Sequence, residues 1–316
     1  MSNRAMRVWL TGGTGFVGSN IVHVALERGA DVLTTVHSFQ PPQDAAYEVD
    51  PVDATDAGAV RASIAAFAPD AVVHCAILND WGLMYADRHA AWDAYVGATV
   101  NTADAASEAG VPYVLVSTDW VFDGTQSGAD EHTPPNPINL YGVLKVASEL
   151  MATERGGAVA RVSGVNGLHR MRPAAPRAQD PGFGYFVASI VDALRAGTPF
   201  TVWESDDINM IATPSLATET AGMILDIAER RLDGVFHCCG GEAVGRMALA
   251  RLTCEAFDLD ADLLRSGPPD PALMPDAPIP YDTSIIAPRT SELLEREPSR
   301  LRDLLVRFRE EYEAAA

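Results

Sequence analysis

The sequence has little of what marks a disulfide-stabilised, metal-binding or membrane protein. Its 316 residues include four cysteines and seven histidines, with no C-x-x-C pair and no histidines at zinc-site spacing. No apolar run approaches the ~20 residues that span a bilayer. The first apolar run leads directly into glycines, which leaves no room for a signal peptide. We therefore expect a cytoplasmic protein without disulfides or a bound metal.

Positive charge is also scarce. The chain has 43 acidic and 23 basic residues, which gives a formal charge of -20 at pH 7. A field of this sign repels phosphate backbones, so neither nucleic acid nor an anionic membrane is an expected partner. A phosphorylated small molecule would have to be held locally, by backbone amides and a few placed side chains.

Short β-rich runs alternate with amphipathic helical stretches through the first half of the chain. Strands are expected over 6–12, 30–37, 70–77 and 111–118, each followed by a helix. This alternation predicts an α/β fold with a doubly wound, Rossmann-type parallel sheet. We assign residues 1–165 to a dinucleotide-binding domain. Residues 166–316, where the pattern loosens, are assigned mainly to a smaller substrate-binding lobe, with some segments returning to the core.

The first expected strand ends in a glycine-rich turn, TGGTGFVG, which leads into a helix. Glycines at this spacing allow a tight turn and close approach of a pyrophosphate, whose charge then lies at the helix N-terminus. The strand before and the helix after the turn are the context that this motif requires. The residues expected to contact the dinucleotide here are Gly12, Thr14, Gly15, Phe16, Val17 and Gly18.

The end of the second strand bears on the choice of cofactor. Residues 34–38 contain no carboxylate to bind the adenosine ribose, while His37 and Ser38 can donate hydrogen bonds to a 2'-phosphate. No arginine stands there, so NADP(H) is favoured and NAD(H) is the alternative. Further on, Asp53 either accepts from the adenine amino group or caps the helix expected from Ala57.

Tyr141 and Lys145 lie four residues apart, on the same face of an expected helix. A phenol can donate a proton to the alkoxide formed in ketone reduction, and a neighbouring cation lowers the phenol pKa and can hold the nicotinamide ribose. Lys145 is the only lysine in the chain, in which every other basic residue except histidine is arginine. Upstream, either Thr118 or Ser117 at a strand end can hydrogen-bond the carbonyl oxygen.

The order of these features resembles the extended short-chain dehydrogenase/reductase family. More closely, residues 116–149, VSTDWVFDGTQSGADEHTPPNPINLYGVLKVASE, resemble the dTDP-4-dehydrorhamnose reductases and related deoxysugar 4-ketoreductases. Those enzymes carry S-T-D-x-V-F-D-G, a proline-bearing loop and then Y-G-x-x-K-x-x-x-E. The similarity is specific from residue 1 to about residue 165.

This resemblance implies a catalytic set of Thr118, Tyr141 and Lys145. It also implies a nicotinamide cofactor that delivers hydride to C4 of a 4-keto-6-deoxyhexose carried on a nucleoside diphosphate. Tyr141 and Lys145 would contact this cofactor as well. The other residues that the resemblance places along the cofactor are Asp53, Ala54, Ala76 and Ile77.

Three departures from the family pattern concern the sugar pocket. Tyr95 stands where asparagine is usual, Gly164 stands where the rhamnose reductases tend to have tryptophan, and residues 205–214 read SDDINMIATP. The substrate is thus open between the rhamnose precursor, another deoxysugar and a different ketone. Arg170 and Arg172 are candidate local cations for a diphosphate, or else part of a solvated loop. The full set of expected substrate residues is Asn79, Trp81, Tyr85, Val121, Phe122, Arg161, Asn166, Arg170, Arg172 and Asn209.

Two other functions stay open. One is a cofactor-binding regulatory subunit, which the family contains in the β subunit of methionine adenosyltransferase; an intact Thr-Tyr-Lys set speaks against it. The other is a sugar-nucleotide epimerase or 4,6-dehydratase, although Trp120 follows Asp119 where a dehydratase has its acid. Expected helices over His89–Ala109 and Tyr141–Glu154 could pair across a two-fold axis as in relatives, which predicts a homodimer.

Overall fold

A parallel sheet forms the centre of the molecule. The computed structural model describes residues 5–36, 45–78, 80–172 and 178–315. The strands are β1 (Arg7–Thr11), β2 (Asp31–Thr35), β3 (Glu48–Asp50), β4 (Ala71–His74), β5 (Tyr113–Thr118), β6 (Ala158–Val162), β7 (Val165–Asn166), β8 (Phe200–Trp203), β9 (Ile211–Ala212), β10 (Ser215–Leu216), β11 (Gly234–Cys238), β12 (Val244–Gly245) and β13 (Leu264–Gly267). Seven of them form the central sheet in the order β11-β6-β5-β4-β1-β2-β3, and every pairing is parallel.

Helices cover both faces of this sheet. They are α1 (Phe16–Glu27), α2 (Ala57–Phe67), α3 (Trp81–Ala86), α4 (Arg88–Trp92), α5 (Ala98–Ala109), α6 (Leu140–Glu154), α7 (Phe186–Arg195), α8 (Ala217–Glu229), α9 (Arg246–Phe257), α10 (Pro288–Leu294) and α11 (Leu301–Ala314). One π-helical turn, Asp93–Gly97, joins α4 to α5, and 3-10 turns occupy Asp119–Val121, Ala261–Leu263 and Pro271–Leu273. The strand order reverses between β1 and β4, which is where ligands bind in open α/β sheets. The predicted α/β, Rossmann-type fold class is confirmed.

Alternating side chains along the strands build the two cores of the sheet. On β1, Val8 and Leu10 pack with α1 and α8, whereas Trp9 points to the other face and packs with α2 and α5. Successive strand residues point to opposite faces, so a strand covered on both sides is apolar throughout. This explains why the runs around Val8, Val72 and Val114 could be recognised as buried strands.

A separate core lies in the C-terminal half. It joins α7, β8, α9 and α11 through Phe186, Ile190, Leu249, Leu305 and Phe308, among others. Two later elements, α8 and β11, instead pack into the central sheet. Substrate binding by the C-terminal half stays a prediction.

Two helix boundaries differ from expectation. The first helix begins at Phe16, within the glycine turn, whereas the sequence pattern predicts a helix from Ser19 to Arg28. The single helix expected over His89–Ala109 is interrupted by the π-helical turn, in which the inserted residue shifts the face that the helix presents to its neighbours. The sequence of this turn, DAYVG, has no proline, and its one glycine, Gly97, does not by itself indicate a π-helical turn.

Candidate active site

The glycine turn presses against the start of the segment that follows β4. Gly12 has a φ of 72°, and a Cβ built there would lie 2.7 Å from the backbone nitrogen of Ala76. A Cβ on Gly18 would lie 2.1 Å from the carbonyl oxygen of Gly12, and one on Gly13 would lie 2.2 Å from Oγ1 of Thr34. Atoms cannot approach so closely, so these three positions accept only glycine.

The N-terminus of α1 opens out of this turn. The Gly15 amide donates to the Gly12 carbonyl at 2.9 Å, and α1 begins at Phe16 without a side-chain cap or an acidic residue in its first turn. Helix N-termini leave amide donors without intrahelical partners and carry a partial positive charge. The turn therefore forms a cradle that fits a pyrophosphate. Thr14 and Val17 lie half-buried on either side of Phe16.

A buried hydrogen-bond junction fixes the strand ends beneath the cradle. The Thr11 hydroxyl accepts from the amides of Cys75 and Ala76, both at 3.1 Å, and lies 2.7 Å from Nδ1 of His74. The threonine proton must therefore go to Nδ1. Burial, and then the charge of Lys145, lower the pKa of His74 to about 3, so the imidazole stays neutral. No motif in the sequence indicates this junction.

The remaining cofactor positions lie along the edge of the sheet. Ala76 and Ile77 lie just beyond β4, after Cys75, and Ile77 is exposed. Asp53 is exposed and accepts from the amide and hydroxyl of Thr55, whereas Asp56 caps α2. Asp53 is therefore not the cap of that helix. Ala54 is half-buried, and its carbonyl accepts from the side chain of Asn101. His37 and Ser38 lie outside the described residues.

The structure brings Thr118, Tyr141 and Lys145 together. Thr118 ends β5, Tyr141 lies in the first turn of α6, and Lys145 follows one turn later. The Thr118 hydroxyl lies close enough to the Tyr141 phenol to act on its pKa, and Lys145 Nζ donates to the carbonyl of Val116 at 2.9 Å. Ser117, the other hydroxyl considered, instead donates to Glu149 at 2.6 Å. Thr118 is thus the hydroxyl that faces Tyr141.

Burial dominates the electrostatics of this set. It raises the pKa of Tyr141, and the nearby Thr118 hydroxyl opposes this only in part, while Asp119 and Cys75 raise the pKa further. Burial also lowers the pKa of Lys145 to about 8, against the effects of Cys75 and Glu149. We expected Lys145 to lower the pKa of Tyr141, but Lys145 is not among the groups that shift this pKa, and burial raises it. At neutral pH the phenol therefore holds its proton and the amine is mostly charged.

An aromatic cluster encloses Tyr141. Its ring centroid lies 5.9 Å from Trp81, 6.0 Å from Tyr95 and 6.1 Å from Trp120. Tyr85 stacks on Trp81 at 6.4 Å and accepts from the amide of Leu140 at 3.1 Å. The predicted substrate residues Trp81 and Tyr85 therefore lie beside the proposed proton donor. Tyr95 and Trp120 were not among the predicted site residues.

Three of the predicted substrate residues, Val121, Phe122 and Asn166, are buried and make their contacts inside the protein. Val121 and Phe122 are fully buried, and Phe122 packs on the guanidinium of Arg161. Asn166 accepts from the amide of Val187 at 3.0 Å and donates to Gly164 O at 2.7 Å. In each case the side chain already has its contacts inside the protein, which leaves it no surface for substrate.

Asn209 is also committed to the fold. Its side-chain amide lies 3.1 Å from the carbonyls of Ile211, Pro280 and Tyr281, and so holds the segment at residues 280–281. Buried polar groups are expected to be hydrogen-bonded in this way. A structural role explains Asn209 without a substrate.

Arg161 forms a buried ion pair instead of facing the pocket. Its guanidinium contacts both carboxylate oxygens of Glu149, at 3.0 and 2.7 Å, and Nη1 lies 3.5 Å from Nε2 of His237. Nδ1 of His237 lies 2.8 Å from the carbonyl oxygen of Ile286. Because a carbonyl oxygen can only accept a hydrogen bond, Nδ1 carries the proton and donates it to this bond. Nε2 is therefore the acceptor for Arg161. This pair joins β6 to the helix that carries Lys145.

The two arginines expected near a diphosphate are not placed alike. Arg170 pairs with Glu311 at 2.6 Å and lines a 360 Å³ cleft between α1, α8 and α11, which none of the three catalytic candidates lines. Arg172 is exposed, and its amide donates to Nδ1 of His169 at 3.2 Å. Substrate contact by Arg172 stays a prediction. Asn79 lies outside the described residues.

Comparison with known protein families gives a match along almost the whole chain. The model of the RmlD substrate binding domain matches residues 6–308. The chain belongs to this family. In the part of the chain that the structure describes, no cluster of three histidine, cysteine, aspartate or glutamate side chains could hold a metal ion. Nor is any described helix long and apolar enough to cross a membrane.

The proteins that this chain resembles are named either as a subunit of another enzyme or as reductases. Methionine adenosyltransferase 2 subunit beta of Xenopus tropicalis is 27% identical over 270 residues, 82% of this chain and 74% of that protein. The probable low-salt glycan biosynthesis reductase Agl14 of Haloferax volcanii is 28% identical over 264 residues, 83% of each chain. The structure of dTDP-4-dehydrorhamnose reductase from Bacillus anthracis in complex with NADP superposes with a TM-score of 0.77 at 20% identity, over 98% of this chain and 99% of that one.

Asp119 is a further buried group that was not among the predicted site residues. The Asp119 carboxylate accepts from Thr283 at 2.6 Å, Ser163 at 2.8 Å and Thr118 at 3.1 Å. Burial raises its pKa to about 6, although these hydrogen bonds oppose the rise. Asp119 thus ties the end of β5 to two distant segments. Its neighbours in space lie 44 and 164 residues away, so no local pattern could reveal them.

Proposed function

We propose that the protein is an NAD(P)H-dependent reductase acting on the 4-keto group of a nucleotide-activated 4-keto-6-deoxy sugar. The observation that carries this proposal is the juxtaposition of Thr118, Tyr141 and Lys145 at the carboxyl edge of a parallel sheet, beside a cradle for a pyrophosphate. The names of the Haloferax and Bacillus relatives support the same chemistry. The identity of the sugar and of its nucleotide is part of the proposal.

The cradle fits a dinucleotide. Gly12, Gly13 and Gly18 leave room that any Cβ would fill, and the N-terminus of α1, which has no side-chain cap, faces the space for a pyrophosphate. Ala76 and Ile77 would lie along the cofactor, with Lys145 near its ribose, and Asp53 and Ala54 near the adenine. The bound nicotinamide supplies hydride to the substrate carbon. NADP(H) is the first candidate, because residues 34–36 carry no carboxylate and the Bacillus relative binds NADP.

Tyr141 would act as the proton donor. Burial keeps its phenol protonated at neutral pH, which is the state that a proton donor needs. The Thr118 hydroxyl, which donates to Asp119 in this structure, would turn to donate to the same carbonyl oxygen and favour the negative charge that develops on it. As the phenol gives up its proton, the Lys145 ammonium offsets the charge left behind. The aromatic cluster excludes water from this transfer.

Substrate recognition would fall to the open side of this site. Trp81 and Tyr85 offer apolar faces beside Tyr141, and Arg172 offers an exposed cation for the diphosphate. In a chain of charge -20, such a local cation would be needed to hold a diphosphate.

We also propose that the protein is a cytoplasmic homodimer. On α6, Val143 and Leu150 are exposed and lie seven residues apart, on one face of the helix. Pairing of α5 and α6 across a two-fold axis would bury this face. Analytical ultracentrifugation would report the mass of the assembly directly, and a monomer at micromolar concentration would contradict the proposal.

Replacement of Tyr141 by phenylalanine tests the mechanism. With a dTDP-4-keto-6-deoxyhexose generated in the assay and NADPH or NADH as reductant, Tyr141→Phe should lower kcat by about 100-fold or more. Cofactor affinity, measured by calorimetry, should not change. Tyr113→Phe is the matched control, because that buried hydroxyl contacts Thr102 away from the site, and its activity should be normal. Near wild-type turnover by Tyr141→Phe would refute the assignment.

A regulatory subunit is the second candidate. The similarity to methionine adenosyltransferase 2 subunit beta favours it, since that relative is named as a subunit of another enzyme. Tight cofactor binding without turnover of any keto sugar would support this candidate over the reductase.

A further inference from the structure

Tyr95 occupies the middle of the π-helical turn between α4 and α5. The turn spans Asp93–Gly97, and the Tyr95 side chain is 3% exposed. Its carbonyl accepts from the hydroxyl of Thr99 at 2.7 Å, four residues ahead. Single π-helical turns are rare and occur often at functional sites, because the extra residue redirects one side chain. Here the redirected side chain enters the site.

Three contacts fix the Tyr95 ring. Lys145 Nζ lies 5.6 Å from the ring centroid, within the range of a cation–π contact. The ring of Tyr141 meets it edge-on, at 6.0 Å and an interplanar angle of 79°. The Tyr95 hydroxyl donates to the carbonyl of Leu78 at 3.0 Å. Tyr95 thus touches both members of the Tyr-Lys pair and is anchored to the segment that follows β4.

We propose that Tyr95 is the positioning residue of the Tyr-Lys pair: its ring face holds the Lys145 ammonium, its contact with Tyr141 fixes the phenol, and its hydroxyl locks the ring to Leu78. This inference rests on the proposed function for its catalytic meaning, but the placement of Lys145 can be measured without any substrate. Tyr95 acts through its neighbours and does not itself touch the reacting atoms.

The groups around Lys145 explain why the ring matters. On β5, the Val116 carbonyl accepts a hydrogen bond from the Lys145 ammonium. Just after β4, Cys75 lies near Lys145; burial raises the pKa of this thiol to about 11, so the thiol is neutral. His74 is neutral as well. On α6 itself, the phenol of Tyr141 is protonated, and Glu149 attracts Lys145.

That carboxylate is shared. Glu149 is held by both nitrogens of the Arg161 fork and by the hydroxyl of Ser117. Its attraction for Lys145 is therefore partly neutralised. The Val116 carbonyl and the Tyr95 ring are the direct contacts that favour the charged form of Lys145, and a cation–π contact is strongest where water is excluded.

The composition of the chain makes the test direct. Lys145 is the only lysine, so protein grown with ¹³C-labelled lysine gives a single side-chain signal, whose pH titration by NMR reports the pKa of Lys145. We expect the wild-type signal to titrate near pH 8. Tyr95→Leu removes the ring face and should lower this pKa by about one unit. Tyr95→Phe keeps the ring and should change it by no more than about 0.3 unit.

Two controls separate this effect from simple disruption. Tyr85→Leu removes another ring of the aromatic cluster, one that stacks on Trp81, and should leave the pKa of Lys145 unchanged. An unfolded chain would titrate near the ordinary lysine value of about 10.4, so loss of structure moves the signal opposite to the expected direction. A Tyr95→Leu protein that titrates like wild type would overturn the proposal.

Activity supplies the second readout. If the protein is a reductase, the alkaline limb of its kcat/KM profile should move to lower pH in Tyr95→Leu, in step with the pKa of Lys145, and should stay in place in Tyr95→Phe. A limb that stays in place while the NMR titration moves would overturn the catalytic meaning of the contact. Because the titration needs no substrate, absence of turnover would reject the proposed function and leave the positioning inference to be decided by NMR alone.

Discussion

Replacement of Asp119 by asparagine should remove part of the pH dependence of the free energy of unfolding. The carboxylate is fully enclosed and accepts from the hydroxyls of Thr283, Ser163 and Thr118. Burial raises its pKa from 3.8 to about 6, and the hydrogen bonds reduce this rise without cancelling it. The charged form of Asp119 is therefore disfavoured in the folded protein relative to the unfolded chain.

The sign and size of the effect follow from proton binding. Between about pH 4 and pH 6 the folded protein holds a proton on Asp119 that the unfolded chain releases, so the free energy of unfolding falls as the pH rises through this window. Above about pH 6 the contribution is constant. A pKa of about 6 against 3.8 corresponds to about 3 kcal/mol, at 1.36 kcal/mol per unit.

Asparagine is neutral at every pH and keeps one acceptor oxygen. Thr283 has a second acceptor in Asn209, at 3.3 Å, to which its hydroxyl can turn. The free energy of unfolding of Asp119→Asn, relative to wild type, should therefore rise by about 3 kcal/mol between about pH 4 and pH 7. Urea denaturation of both proteins across this range measures the difference. Asp180, whose pKa burial also raises to about 6, is present in both proteins and cancels.

Asp123, in the same sequence motif, is the matched control. It is nearly fully solvated; slight burial opposes a lower pKa, but hydrogen bonds from Thr125 outweigh it, so the pKa is lowered. Its contribution has the opposite sign, since it is present at neutral pH and lost in acid. Asp123→Asn should thus lose stability relative to wild type as the pH rises. Parallel pH profiles for wild type and Asp119→Asn would refute the reasoning.

Two further predictions concern the cradle and the buried ion pair. Gly18→Ala should abolish cofactor binding in calorimetry, because the added Cβ would lie 2.1 Å from the carbonyl oxygen of Gly12. The control Gly58→Ala, at the exposed start of α2, should bind the cofactor normally. Normal binding by both variants would exclude the cradle as the cofactor site. Glu149→Leu should lower the free energy of unfolding, measured in urea, by about 3–5 kcal/mol, because the charge of Arg161 is left buried without a counter-charge. The double variant Glu149→Leu/Arg161→Met should recover most of this loss. Simple addition of the losses of the two single variants would contradict the ion-pair argument.

Local pattern predicted the framework of the fold because the relevant forces are local. Apolar runs bounded by glycine and proline identified strands such as β1 and β4, and the glycine turn identified the start of a Rossmann-type unit. The π-helical turn escaped prediction because nothing in DAYVG distinguishes it from an ordinary helix. Its cause is tertiary: Tyr95 packs against Tyr141 and Lys145, 46 and 50 residues further along the chain by the numbering.

The same distinction applies to the site. Thr118, Tyr141 and Lys145 were identified because each has a motif or composition signal of its own. Arg161 and Asn209 were placed in the substrate pocket because a polar residue at the end of the sheet or in a loop reads as a ligand contact. Their partners, Glu149 and the carbonyls of residues 280–281, are brought to them only by folding. A signal for Trp120 was available, since it follows Thr118 and Asp119 directly.

The burial of Lys145 bears on whether this residue acts in catalysis or only in cofactor binding. Burial lowers its pKa from 10.5 to about 8, so holding the ammonium in the folded protein costs about 3 kcal/mol of stability below that pH. The chain uses arginine at its other strongly basic positions, and a surface or ribose contact could be made by arginine or by a neutral donor. Only a compact charge that can stand beside a phenol as it loses its proton requires lysine at this point. The catalytic role proposed for Lys145 therefore accounts for a buried, destabilising lysine in a chain that otherwise lacks the residue, which cofactor binding alone does not.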